Sequence, residues 1–140
     1  MDKLKQVMVV DDDPISNTIV RKLSEYTGFA EEVVCFISAV DGLDFLQKAI
    51  ENNQDLPSLL FLDIQMPIVN GWDFLERLGK TKQLNPFYEL PIYMLTSSSE
   101  QSDINKAKQY KLVTDYIVKP LSAEQLRDIK KKHLPVLTDD

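Results

Sequence analysis

The 140-residue chain holds one cysteine, Cys35, and one histidine, His133. A single thiol excludes an intrachain disulfide and any metal centre built from several cysteines. Its setting, the apolar run VVCFI, reads as a small buried hydrophobe and not a reactive thiol. His133 lies in a basic, terminal stretch far from any base, so it reads as a solvated residue and not as a phosphate-accepting histidine. No apolar run approaches the roughly 20 residues of a membrane span. The opening MDKLKQ lacks the apolar segment of a secretory signal, which makes a cytoplasmic location the default expectation. A formal net charge of -6 disfavours non-specific attraction to nucleic acid or to an anionic membrane. The Lys130 to Lys132 run does not change this, because basic residues near a helix end are ordinarily a solvated face. Repeats, low-complexity tracts and linkers are missing too, so one domain is expected over residues 1–140, with no output domain attached.

What the chain does have is an alternation of short apolar runs with helix-period segments. Gln6 to Val10, Glu32 to Ile37, Ser58 to Leu62, Ile92 to Leu95 and Asp115 to Val118 are strand candidates. Several are apolar almost throughout, as suits strands covered on both faces. Between them, Ile15, Ile19, Val20, Leu23 and Tyr26 share one helical face, as do Ala39, Leu43, Leu46 and Ile50, and then Phe74, Leu75 and Leu78. Ser122 and Gln125 have the spacing of a capping box before a last helix that turns Leu126, Ile129 and Leu134 inward. The pattern predicts an α/β fold: a five-stranded parallel sheet with helices on both faces. The stretch Gly79 to Leu90 reads as an extended loop or a frayed helix end. The segment Glu100 to Tyr110 offers only Ile104, Ala107 and Tyr110 as apolar positions, which predicts a weakly held helix of the kind that moves in switching.

The chemistry gathers where strands end, since ligands of open parallel sheets bind beyond the carboxyl ends of the strands. The first strand is followed by Asp11, Asp12 and Asp13, the third by Asp63, and the fifth by Lys119, while the fourth ends at Thr96. Adjacent carboxylates repel one another, so a cluster of them calls for a cation. Oxygen ligands without histidine or cysteine favour a hard ion, and the lack of a twelve-residue calcium loop points to Mg2+. A metal alone leaves Thr96 and Lys119 unexplained, and an oxyanion accounts for both. Asp63 attacking phosphorus would form an aspartyl phosphate whose oxygens meet the cation, the Lys119 ammonium and the Thr96 hydroxyl. Both cations are expected to hold Asp63 ionised and ready as a nucleophile.

The segments VMVVDDDP, LLFLDIQMPIVNGWDFL, PIYMLTSSS and DYIVKPLS resemble, in order and spacing, the receiver domain of two-component response regulators. The resemblance implies the doubly wound, flavodoxin-like strand order 2-1-3-4-5. It implies Asp63 as phosphoacceptor, Asp11 and Asp12 as an acidic pair serving Mg2+, and the backbone carbonyl of Gln65 as a further ligand. It implies Thr96 as the switch hydroxyl, Tyr116 as the aromatic that moves with it, Lys119 as the phosphate-binding lysine, and a cis peptide at Lys119-Pro120 that shapes the loop. Asp13 is expected to be peripheral. The donor would be a histidine kinase or histidine phosphotransfer protein, and the downstream partner an unnamed protein. The chain would be a monomer or a phosphorylation-dependent homodimer. The signal would appear on the face of the fourth helix, fifth strand and fifth helix.

Two other classes compete. A phosphatase of the haloacid-dehalogenase type also uses a strand-end aspartate, but its general acid is a second Asp two residues on. Gln65 stands there, and 140 residues leave little room for a substrate cap. A receiver-like scaffold that never takes phosphate would have no reason to keep like charges in contact.

Overall fold

The computed structural model describes residues 2–84 and 89–134, with the backbone alone at 82–84. These residues form β1 (Leu4–Val10), α1 (Pro14–Thr27), β2 (Ala30–Phe36), α2 (Ala39–Glu51), β3 (Leu59–Leu62), α3 (Gly71–Leu84), β4 (Ile92–Thr96), α4 (Gln101–Lys108), β5 (Val113–Val118) and α5 (Ala123–His133). The five strands make one parallel sheet in the order β2-β1-β3-β4-β5, the arrangement the sequence resemblance implies.

Alternation along the central strands divides the core in two. Met8, Val10, Leu60, Leu62 and Met94 face a layer containing Leu43 and Leu46 of α2 and Phe74, Leu75 and Leu78 of α3. Val7, Val9, Leu59, Phe61 and Tyr93 face the opposite layer, with Val20 of α1 and Leu126 and Ile129 of α5. All four residues of β3 are fully buried, which is why that strand is a continuous apolar run. Register brings the strand tips level: Val10 of β1 pairs with both Phe36 of β2 and Leu62 of β3, so the residues after β1 and β3 emerge side by side.

Helix entry points are set by side chains. Asp13 caps α1 by accepting the Ile15 N–H at 3.0 Å, and Pro14 occupies the first turn. Gly28, at φ 66, ends the same helix in the left-handed conformation that a side chain resists. Ser122 and Gln125 form the expected capping box.

Four expectations need correction. β1, β2 and β5 begin earlier than the apolar runs suggest, at Leu4, Ala30 and Val113, because backbone pairing extends past polar side chains that interrupt the apolar pattern. The buried stripe of α1 is Ser16, Asn17, Val20 and Ser24, whereas Ile15, Ile19 and Tyr26 are exposed. The rotation lets Asn17 donate its side-chain amide to the Asp11 carbonyl at 3.0 Å, a bond an apolar residue could not make. Residues 79–84 continue α3, which favours the helix-end alternative over the loop for that part, and residues 85–88 lie outside the described residues. His133 is half-buried, its Nε2 2.6 Å from the Tyr93 hydroxyl and its ring edge-on to Tyr93.

Candidate functional site

The tips of β1, β3, β4 and β5 deliver the predicted residues to one crevice. Asp63 follows β3 directly, its N–H bonded to the Val10 carbonyl at 3.0 Å, while the Asp11 N–H bonds to the Phe36 carbonyl. Each backbone is thus locked to its neighbour one residue beyond the formal strand. The Lys119 N–H is likewise donated to the Thr96 carbonyl at 2.8 Å. Asp11, Asp63 and Thr96 are buried, Asp12 is exposed, and the lysine stem is mostly covered.

Oxygens of Asp11, Asp12 and Asp63 lie within 4.8 Å of one another. Lys119 Nζ is 2.7 Å from Asp11 Oδ2 and 3.7 Å from Asp63 Oδ2, so one ammonium serves two carboxylates and is closer to Asp11. The Asp13 N–H steadies Asp11 Oδ1 at 2.9 Å, and the Ile64 N–H steadies Asp63 Oδ1 at 2.8 Å. Burial pushes the Asp63 carboxyl above the usual carboxylate range, and the neighbouring Asp11 pushes it further. Lys119, the Thr96 hydroxyl and the Ile64 N–H oppose that rise without cancelling it. The lysine alone therefore does not hold Asp63 at an ordinary carboxylate value, which modifies the expectation from sequence. An all-oxygen donor set of three carboxylates at this spacing fits a hard divalent cation, whose charge would supply what the lysine does not.

Gln65 is exposed and lines a cavity of about 470 Å3 with Asp12, Asn70 and Trp72. Behind it the turn is tight. Gly71 opens α3 with its N–H on the Ile64 carbonyl at 2.8 Å, and a β-carbon there would sit 2.9 Å from Ile64 Cα and press on the Asp63 carbonyl. Only glycine lets α3 start against the turn that carries Asp63.

On the other side, Thr96 Oγ1 accepts a long bond from the Ser98 N–H at 3.4 Å. Tyr116 is half-buried and donates its hydroxyl to the Ser98 carbonyl at 2.8 Å. The Lys119-Pro120 peptide is cis, as the resemblance implies. Asp13 is exposed and works as the α1 cap, consistent with a peripheral place. Asp11, Asp12, Asp63, Thr96 and Lys119 are brought together, Gln65 shares a cavity wall with Asp12, Pro120 adjoins Lys119, and Tyr116 reaches the loop after Thr96 through Ser98. Asn17 and Gly71 were missed. The one available signal was a glycine at a position where a helix former would be expected.

A family model described as the response regulator receiver domain matches residues 7–131. The chain is 36% identical over 135 residues to Protein PilG of Pseudomonas aeruginosa, covering 95% of this chain and 90% of that protein. It is 28% identical over 133 residues to the sensor histidine kinase CheAY of Helicobacter pylori, covering 95% of this chain but only 15% of the kinase. A crystal structure of a two-component response regulator from Cytophaga hutchinsonii superposes with a TM-score of 0.82 at 28% identity, covering 94% of this chain and 97% of that one.

Proposed function

The chain belongs to the response regulator receiver family, and on that premise we propose that it is a phosphorylation switch with Asp63 as the phosphoacceptor. One observation carries the reading: Asp63, Asp11, Asp12, Thr96 and Lys119 come from four different strand ends and meet in one crevice. Neither a surface-solubility role nor helix capping explains that convergence.

The donor is a phosphohistidine on a histidine kinase or histidine phosphotransfer protein. A carboxylate oxygen of Asp63 forms the new O–P bond as the N–P bond breaks, and the leaving imidazole takes up a proton from solvent. The chain itself performs no turnover on a separate substrate beyond accepting and losing this group. Mg2+ would be held by Asp11, Asp12, Asp63 and the Gln65 carbonyl, and when bound it neutralises charge on the carboxylates and on the phosphoryl oxygens. Lys119, already paired with Asp11 and within reach of Asp63, turns to a phosphoryl oxygen. Thr96 donates its hydroxyl to another and draws away from the Ser98 N–H.

Tyr116 and the face of α4, β5 and α5 then repack, and a partner that binds the two packings with different affinity reads the state. Acetyl phosphate with Mg2+ labels the wild-type chain in this account, and Asp63→Ala abolishes the label. Equal labelling of the variant would end the reading. Sedimentation with and without beryllofluoride distinguishes a constant monomer from a phosphorylation-dependent homodimer.

A further inference from the structure

α4 has little of its own to hold it. Ala107 is its one buried residue among those described, and Glu100 at its N-cap makes no side-chain capping bond. Its C-terminal half leans on α3: Lys106 Nζ sits 4.9 Å from the centroid of Trp72, Tyr110 just beyond the helix stacks on Trp72, and the Tyr110 hydroxyl donates to Glu76 at 3.0 Å. Its first turn is held differently, through Ser98. The Ser98 N–H donates to Thr96 Oγ1, and its carbonyl accepts from Tyr116. Its hydroxyl accepts the Glu100 N–H at 3.3 Å and donates to Asp103 Oδ2 at 2.6 Å. The first two contacts are backbone contacts on the switch side. The hydroxyl contacts are the side-chain link across to the helix.

We infer that Asp103 is a positioning residue: by accepting the Ser98 hydroxyl it ties the first turn of α4 to the Thr96–Tyr116 loop, so displacement of Thr96 carries the helix with it. This rests on the phosphoacceptor reading and extends it to the part that moves. A short bond to a charged acceptor is among the stronger hydrogen bonds a side chain makes. It acts here on a helix with one buried and one half-buried apolar side chain opposing movement. The far end, clasped on Trp72, acts as the pivot.

Hydrogen exchange of amides 101–108, with and without beryllofluoride and Mg2+, tests the link. In the wild-type chain, first-turn amides change protection by about tenfold, in keeping with a hydrogen bond to a charged group. Asp103→Ala is labelled by acetyl phosphate at the wild-type level, but its exchange response shrinks below about twofold. Asp103→Asn loses the same helix-dipole interaction yet keeps an oxygen for the hydroxyl, so it restores the response. Ser98→Ala combined with Asp103→Ala is no worse than either alone, as expected for two ends of one bond.

A wild-type response in Asp103→Ala, or no recovery in Asp103→Asn, overturns the assignment. Loss of labelling in Asp103→Ala also overturns it, by placing the residue in the chemistry. If the wild-type chain takes no label, the phosphoacceptor reading fails visibly at the first step, and the tether falls with it.

Discussion

α2 and α4 pack on the same face of the sheet but are held in opposite ways. α2 buries Ala39, Gly42, Leu43, Leu46 and Ala49, and lies so close that a β-carbon at Gly42 would come within 2.8 Å of Val10 Cγ2. α4 buries Ala107 and depends on hydrogen bonds and one cation–aromatic contact. The lesson is a division of labour inside one layer. Burial stabilises in proportion to the apolar area removed from water, so α2 is tied firmly to the core. α4 is governed by a few polar contacts, each worth little after solvent competition, as the proposed switch requires.

Substitutions should expose that gradient. Leu46→Ala on α2 destabilises the chain by about 2–5 kcal/mol, measured by urea denaturation, because the side chain is fully buried. A loss below about 1 kcal/mol there would erase the contrast. Ser122→Ala removes half of the α5 capping box and lowers stability by about 1 kcal/mol in the same assay. Ile104→Ala on α4 removes a half-buried side chain and shifts the urea midpoint by less than about 1 kcal/mol equivalent. If it matched Leu46→Ala, α4 would be a core helix after all.

The smallest effect is a pH dependence at the end of α5. Burial, and secondarily Lys132, pushes the His133 imidazole below its ordinary value of 6.5. The unfolded chain therefore protonates first on acidification. The associated stability is fully present above pH 6.5 and is lost as pH falls through the lowered folded value. Thermal midpoints of the wild-type chain and His133→Gln, compared from pH 7.5 downward, should converge over that window. Curves that stay parallel would remove His133 from the account.

Strand positions and site residues were legible for one reason: a polar residue directly after an apolar run stands out, and Asp11, Asp63 and Lys119 each do this. Thr96 was legible as the polar residue at the end of such a run. Periodicity failed where polar side chains are buried for their hydrogen bonds. Asn17 turns inward to reach the Asp11 carbonyl and Ile15 turns outward, the reverse of what hydrophobicity alone predicts. Gly79 suggested a helix end, yet α3 runs through it, because one glycine costs only about 1 kcal/mol against alanine and the surrounding packing outweighs it. His133 looked solvated from its lysine neighbours, since nothing local reveals that Tyr93, forty residues earlier, offers its hydroxyl. The link from Ser98 to Asp103 and Tyr116 is equally invisible in the local sequence, since these partners meet only after folding.

Trp72 is the sole indole of the chain. One side of it borders the cavity shared with Asp12 and Gln65, and its ring carries Tyr110 and Lys106 at the end of α4. The molecule thus comes with a built-in fluorophore seated between the acidic crevice and the end of α4. Its emission offers a dye-free, real-time readout with which to test cation binding and any movement of α4.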